Sequence, residues 1–137
     1  MKIAIVGAGE VGLTYARPWA AAGHDILLCD LKPSATAQAF AAERGLDIAT
    51  SVGAIAADCD VVVSCVFGTV SLVVAEQALS QMRKGALYID MTTADPAQIR
   101  IAAEQAAQSG IVYVDVAILG AIAACHRPAP KRLSTRH

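Results

Sequence analysis

An α/β fold, a doubly wound parallel sheet in a single domain, is predicted by three features of this sequence. Short apolar runs alternate with helix-like segments along most of its 137 residues. The first run, Ile3 to Val6, breaks into Gly7, Gly9 and Gly12 before a helix-like stretch. The run DVVVSCV, Asp60 to Val66, is apolar without alternation, the pattern of a strand covered on both faces.

Each element has its own signal. The first strand spans about residues 2 to 6. The helix after it runs from Glu10 to Ala22 and ends at Gly23. Pro18 lies inside it and is expected to kink it or loosen its second half, at a cost of about 3 kcal/mol. Trp19 is expected to be a packing anchor beside that kink. The second strand is about 25 to 30. Pro33 fits the first turn of the next helix, which stops at Gly45. A short strand near 47 to 49 leads to Ser51 and a small helix. The fourth strand is 60 to 66. Thr69 reads as an N-cap, with Val70, Val73, Val74 and Ala78 as the packed stripe of a helix that stops at Gly85. The fifth strand is about 86 to 90. Asp95, Pro96 and Gln98 suit N-cap, N1 and N3 of a helix that ends near Gly110. The sixth strand is about 111 to 116.

The glycine turn is the most informative stretch. Strand, Gly-x-Gly-x-x-Gly and helix follow one another, and the three glycines have separate tasks. Gly7 allows a tight turn off the strand, Gly9 leaves room for a diphosphate at the backbone, and Gly12 lets the helix pack close to the strand. The N–H groups and positive dipole end of the helix then face the anion. Asp30 ends the second strand eighteen residues after Gly12, where a carboxylate suits the hydroxyls of an adenosine ribose. This is a Rossmann-type fingerprint. Gly7, Ala8, Gly9, Glu10, Val11 and Gly12, with Asp30, are the candidate cofactor-binding residues. Lys32 is either a contact to a ribose phosphate or simply solvated. Gly7 to Gly12, Asp30, Ser64 to Thr69, and Thr92 with Thr93 all fall at carboxyl ends of strands, where they are expected to line one cleft.

Composition excludes several classes. The chain is 55% hydrophobic, with mean hydropathy +0.50, yet no stretch offers eighteen uncharged apolar residues; the longest, around 111 to 125, carries Asp115. A net charge of −1 gives no case for a nucleic acid or membrane partner. Cys29, Cys59, Cys65 and Cys125 have no metal-like spacing and read as reduced thiols of a cytoplasmic protein; no metal is expected. Residues 1–121 form the expected dinucleotide-binding domain and 122–137 a basic, disordered tail. Within that tail, CHRPAPKRLSTRH holds four bases and no acid.

With these pieces placed, residues 1 to about 121 resemble the N-terminal cofactor-binding domain of the β-hydroxyacid dehydrogenases, the group that includes 6-phosphogluconate and 3-hydroxyisobutyrate dehydrogenases. IAIVGAGEVG, YIDMTTADP at 88 to 96 and VDVAILGA at 114 to 121 carry the resemblance. It implies NAD(P)-dependent oxidation of a small hydroxyacid. It also implies that Val66 and Phe67 pass along the cofactor and that Thr93 lies near the nicotinamide end; strand-end hydrogen bonding is the other reading of Thr93. NAD is favoured over NADP by Asp30, since a carboxylate repels a 2′-phosphate. The family's substrate motif Asp-x-Pro-x-Ser-Gly-Gly is altered here, with Asp115, Ala117, Leu119, Gly120 and Ala121 at its named positions. The family's catalytic lysine belongs to a helical domain that has no counterpart in this sequence, so no catalytic residue is assigned here. The expectation is a truncated dehydrogenase, which would use a hydroxyacid only if a helical domain were supplied. A regulatory nucleotide-sensing module is the alternative, and a nonfunctional remnant a third reading. The apolar face left uncovered leaves room for a homo-oligomer.

Overall fold

The computed structural model describes residues 1–119. Gly120, Ala121 and the expected basic tail lie outside the described residues. Six parallel strands form one sheet in the order β3-β2-β1-β4-β5-β6. They are β1 (Lys2–Val6), β2 (Asp25–Cys29), β3 (Ile48–Ala49), β4 (Val61–Ser64), β5 (Leu87–Asp90) and β6 (Val112–Asp115). The helices are α1 (Glu10–Ala21), α2 (Ala35–Arg44), α3 (Val52–Ala56), α4 (Ser71–Leu79) and α5 (Pro96–Gln108).

Strand alternation splits the core in two. Ile3, Ile5, Ile26, Leu28, Val61 and Val63 face α1 and α2, with Leu13, Ala16, Phe40 and Ala41 packed against them. Ala4, Val6, Cys29, Val62 and Tyr88 face the opposite side, where Val52, Ala75, Ala78, Leu79, Ala102 and Ala106 meet them. So many alanines let the helices lie close to the sheet. Coverage stops at one edge: β6 leaves Val112 and Val114 exposed.

The chain leaves β1 toward β2 on one side and returns to β4 on the other. The strand order therefore reverses between β1 and β4, the place where parallel sheets open a ligand crevice. Register keeps the carboxyl ends level. Val6 pairs with Cys29 and Ser64, Ser64 with Asp90, and Asp90 with Asp115.

Some local expectations hold and others are corrected. Helix α1 continues past Pro18 to Ala21, and the Ala22 N–H still reaches the Pro18 carbonyl at 2.9 Å. Pro18 sits on the exposed side, so its ring costs Thr14 a helical donor without loosening the last turn. Trp19 is half-buried against the core and lies 5.5 Å from the Tyr15 ring. Pro33 precedes α2 rather than opening it. Ser34 is the N-cap and accepts from the Ala37 N–H. Thr69 caps nothing, because a 3-10 turn over Gly68–Val70 comes before α4. Helix α4 stops at Leu79 and buries Ser71, Ala75, Ala78 and Leu79, while Val70 and Val73 stay exposed. Of the expected stripe, Ala78 and Val74 meet the core, whereas Val70 and Val73 line the cleft. Asp95 does cap α5, but it takes the Ala97 N–H.

Candidate functional site

A cleft of about 1560 Å³ opens over the carboxyl ends of the strands. It exceeds the roughly 300–1,000 Å³ of an ordinary small-ligand pocket and suits an elongated ligand. Its walls come from the loops after β1, β2, β3, β4, β5 and β6 and from one side of α4.

The three glycines behave differently. Gly7 has φ +89°, a left-handed conformation that a side chain resists, and a Cβ there would come within 2.8 Å of the Cys65 carbonyl oxygen. The two loops of the switch point therefore touch. A Cβ on Gly12 would overlap the Gly7 carbonyl oxygen, so α1 can lie on the turn only without one. A Cβ on Gly9 would meet no protein atom within 4 Å. That is the cradle a diphosphate needs: bare backbone beside open space. The first α1 bond runs from the Leu13 N–H to the Gly9 carbonyl at 3.0 Å, so the N–H groups of Glu10, Val11 and Gly12 have no partner inside the helix. The donor set fits a diphosphate.

Asp30 ties this turn to the loop after β2. One carboxylate oxygen accepts the Ala8 N–H at 2.9 Å and the other accepts the Lys32 N–H at 2.8 Å. Each oxygen retains lone-pair capacity for a further hydroxyl. The thiols at the cleft wall are quiet. Burial pushes Cys65 up to about 12 and Cys29 up to about 11, with Asp90 and Asp30 respectively adding to the effect.

Of the residues singled out in sequence, Gly7, Gly9, Val11, Asp30, Val66, Phe67 and Thr93 line the cleft. The side chain of Ala8 and the Cα of Gly12 are buried behind the turn's backbone and do not line it. Glu10 and Lys32 are exposed and outside its wall, and the Lys32 backbone N–H donates to Asp30. Sequence reasoning missed a second set. Thr50 to Gly53, after β3, Val70 of the turn over Gly68–Val70, and Val73, Val74 and Gln77 on α4 also line the cleft. The valine periodicity was visible, but periodicity alone does not say whether an apolar stripe meets a core or a ligand.

The model for the NAD binding domain of 6-phosphogluconate dehydrogenase matches residues 2–128. The chain belongs to this family. It is therefore an NAD(P)-binding domain of hydroxyacid-dehydrogenase type, and its cofactor class is a nicotinamide dinucleotide. Among curated relatives, the mitochondrial 3-hydroxyisobutyrate dehydrogenase of Mus musculus is 25% identical over 126 residues, covering 89% of this chain and 37% of its own length. The L-threonate dehydrogenase of Cupriavidus necator is 29% identical over 126 residues, covering 89% of this chain and 42% of its own length. Among solved structures, the 3-hydroxyisobutyrate dehydrogenase of Mycobacterium tuberculosis, determined with L-serine, superposes with a TM-score of 0.76 at 27% identity. That match covers 89% of this chain and 42% of the other. The chain thus spans about two-fifths of the length of the relatives it matches. No helix among the described residues is long and apolar enough to cross a membrane.

Proposed function

We propose that residues 1–121 form the cofactor-holding domain of a cytoplasmic oxidoreductase acting on a small hydroxyacid, with NAD preferred to NADP. The family match and the hydroxyacid dehydrogenases among the relatives support the reaction class. The observation that carries the binding mode is the open space at Gly9 beside unpaired helix N–H groups. In this reading Gly9, Glu10, Val11 and Gly12 offer backbone N–H groups to the diphosphate. Asp30, held at both oxygens, accepts from the adenosine ribose, and a 2′-phosphate there would meet its charge. Val66 and Phe67 lie along the cofactor, and Thr93 lies at its nicotinamide end. Phe67 is 86% exposed, so it has apolar surface left to cover. When bound, the nicotinamide ring supplies the hydride acceptor. This chain's own task is to fix that ring's position and keep the anionic linker on the backbone.

Isothermal titration with NADH and NADPH tests the proposal. Tighter NADH binding is expected, with a rise in melting temperature under saturation. At a hundredfold excess over Kd that stabilisation is about 2.7 kcal/mol. Tighter NADPH binding would overturn the preference, and binding of neither nucleotide would overturn the reading as a whole.

A further inference from the structure

The glycine turn and Asp30 leave a second carboxylate unexplained. Asp90 closes β5, is 0% exposed, and sits under the loop that carries Thr93. Four donors converge on it. One oxygen accepts the Thr92 N–H at 2.9 Å and the Thr92 hydroxyl at 2.6 Å. The other accepts the Tyr113 phenol at 2.7 Å and the Ser71 hydroxyl at 3.1 Å. An ionised carboxylate has about four lone-pair positions, so this set fills it. Among the described residues no lysine, arginine or histidine pairs with it. Ser71 opens α4, whose positive dipole end adds compensation.

A buried charge held without a counter-charge is costly, and hydroxyls arranged this closely fix whatever carries them. Here they are carried by three separate elements: β6, the start of α4 and the loop after β5. The last two are the walls of the cleft on either side of Phe67 and Thr93. They also meet directly, since a Cβ on Gly68 would overlap the Thr93 carbonyl oxygen. Thr93 is thus held through its neighbour Thr92 and against Gly68. Among the described residues no such set of side-chain hydrogen bonds holds the cleft around Thr50 to Gly53.

We propose that Asp90 is the positioning residue for the nicotinamide end of the site: it sets Thr93 and the Phe67 turn at the spacing the ring requires. The proposal rests on the dinucleotide reading above. Its prediction is selective. Asp90→Asn keeps the shape but turns two donors toward an NH₂ group, so the loop after β5 must shift. NADH affinity should fall about tenfold. ADP-ribose, which lacks the nicotinamide, should bind within twofold of wild type. Tyr113→Phe and Ser71→Ala remove one donor each without adding a conflict. They should move NADH affinity in the same direction by about threefold, and they carry the test if Asp90→Asn does not fold. Titration of NADH and ADP-ribose into wild type and the three variants gives the answer. Equal losses for both ligands, or no loss for NADH in variants that fold, would overturn the positioning role. A wild-type chain that binds neither ligand would overturn the dinucleotide reading and the positioning role with it.

Discussion

Gly9→Ala and Gly12→Ala should fail in opposite ways, although both replace a hydrogen by a methyl in the same turn. Gly9 has φ −79° and ψ −162°, a conformation open to any residue, and its Cβ would enter open space. Losing glycine from the N-cap costs up to about 1 kcal/mol. Reduced freedom of the unfolded chain returns about 0.5 kcal/mol. Stability should therefore change by only about 0.5 kcal/mol, or roughly 2 °C in melting temperature. The same methyl stands between an incoming diphosphate and the N–H groups of α1. Losing one or two charge-assisted hydrogen bonds at about 1.5–3 kcal/mol each should weaken NADH binding at least tenfold. At Gly12 the methyl overlaps the Gly7 carbonyl oxygen and comes 2.9 Å from the Ile5 side chain. Helix α1 must lift from β1, an overpacking cost of about 1–3 kcal/mol. That corresponds to a fall of roughly 4–12 °C. Thermal melts and NADH titration on the two variants separate the outcomes. If Gly9→Ala bound NADH like wild type, the cradle would not be where the diphosphate lies. If Gly12→Ala melted with wild type, the close packing of turn and helix would be refuted.

Three further outcomes are expected. Asp30→Ala should move the NADH-to-NADPH affinity ratio toward NADPH by about tenfold. It should also cost about 1–3 kcal/mol, because the Ala8 N–H beside a buried residue loses its acceptor; an unchanged ratio would sink the assigned role. Asp60 is held below the usual carboxylate range by the Lys2 N–H and, after that, by the Arg83 guanidinium. Its contribution is complete above about pH 4–5 and is lost as pH falls through the lowered value. Melting temperatures from pH 5 to 3 should fall less steeply in Asp60→Asn, and the difference should shrink in high salt. Burial raises the Cys29 and Cys59 thiols to about 11 and Cys65 to about 12. The fold therefore favours the thiol over the thiolate, and this stabilisation is lost as pH rises from about 9 through those values. In a Cys125→Ser background at pH 8, an aromatic disulfide reagent should react with these three thiols far more slowly before unfolding than after it.

Much of this molecule is legible along the chain because its strongest signals are local. Val61 to Ser64 is apolar at every position up to Ser64, and a strand buried on both faces requires that. The glycine turn is legible because each glycine meets a constraint set within a few residues or by the next strand. What was not legible depends on distance. Asp90 and Ser71 are 19 residues apart, and Asp90 and Tyr113 are 23 apart; only the packed sheet reveals that they share a hydrogen-bond network. The valines of α4 were legible as a stripe, but their direction depends on where α4 starts. The 3-10 turn over Gly68–Val70 sets that start, and the contact between Gly68 and Thr93 sets the turn. The backbone role of Lys32 is illegible for the same reason. A lysine near a ribose-binding carboxylate draws the eye to its charge, whereas the fold uses its N–H.

The charges along the cleft separate cofactor binding from substrate binding. Of the described residues lining it, only Asp30 and Asp115 carry charge, and both are acidic. A dinucleotide can still bind there, because backbone N–H groups and a helix dipole serve its diphosphate without a cationic side chain. Among the described lining residues no cationic side chain makes such provision for a hydroxyacid carboxylate, and Asp115 is on the wall. An anion there would meet a carboxylate and neutral groups, a net repulsion in a partly desolvated cleft. In this reading, the residues that hold a hydroxyacid's carboxylate and take its hydroxyl proton must come from outside residues 1–119. The described portion then selects the cofactor, not the substrate. It follows that NADH affinity should be nearly insensitive to added small hydroxyacids at millimolar concentration. Competition or enhancement by such an acid would show that this cleft holds an anion after all.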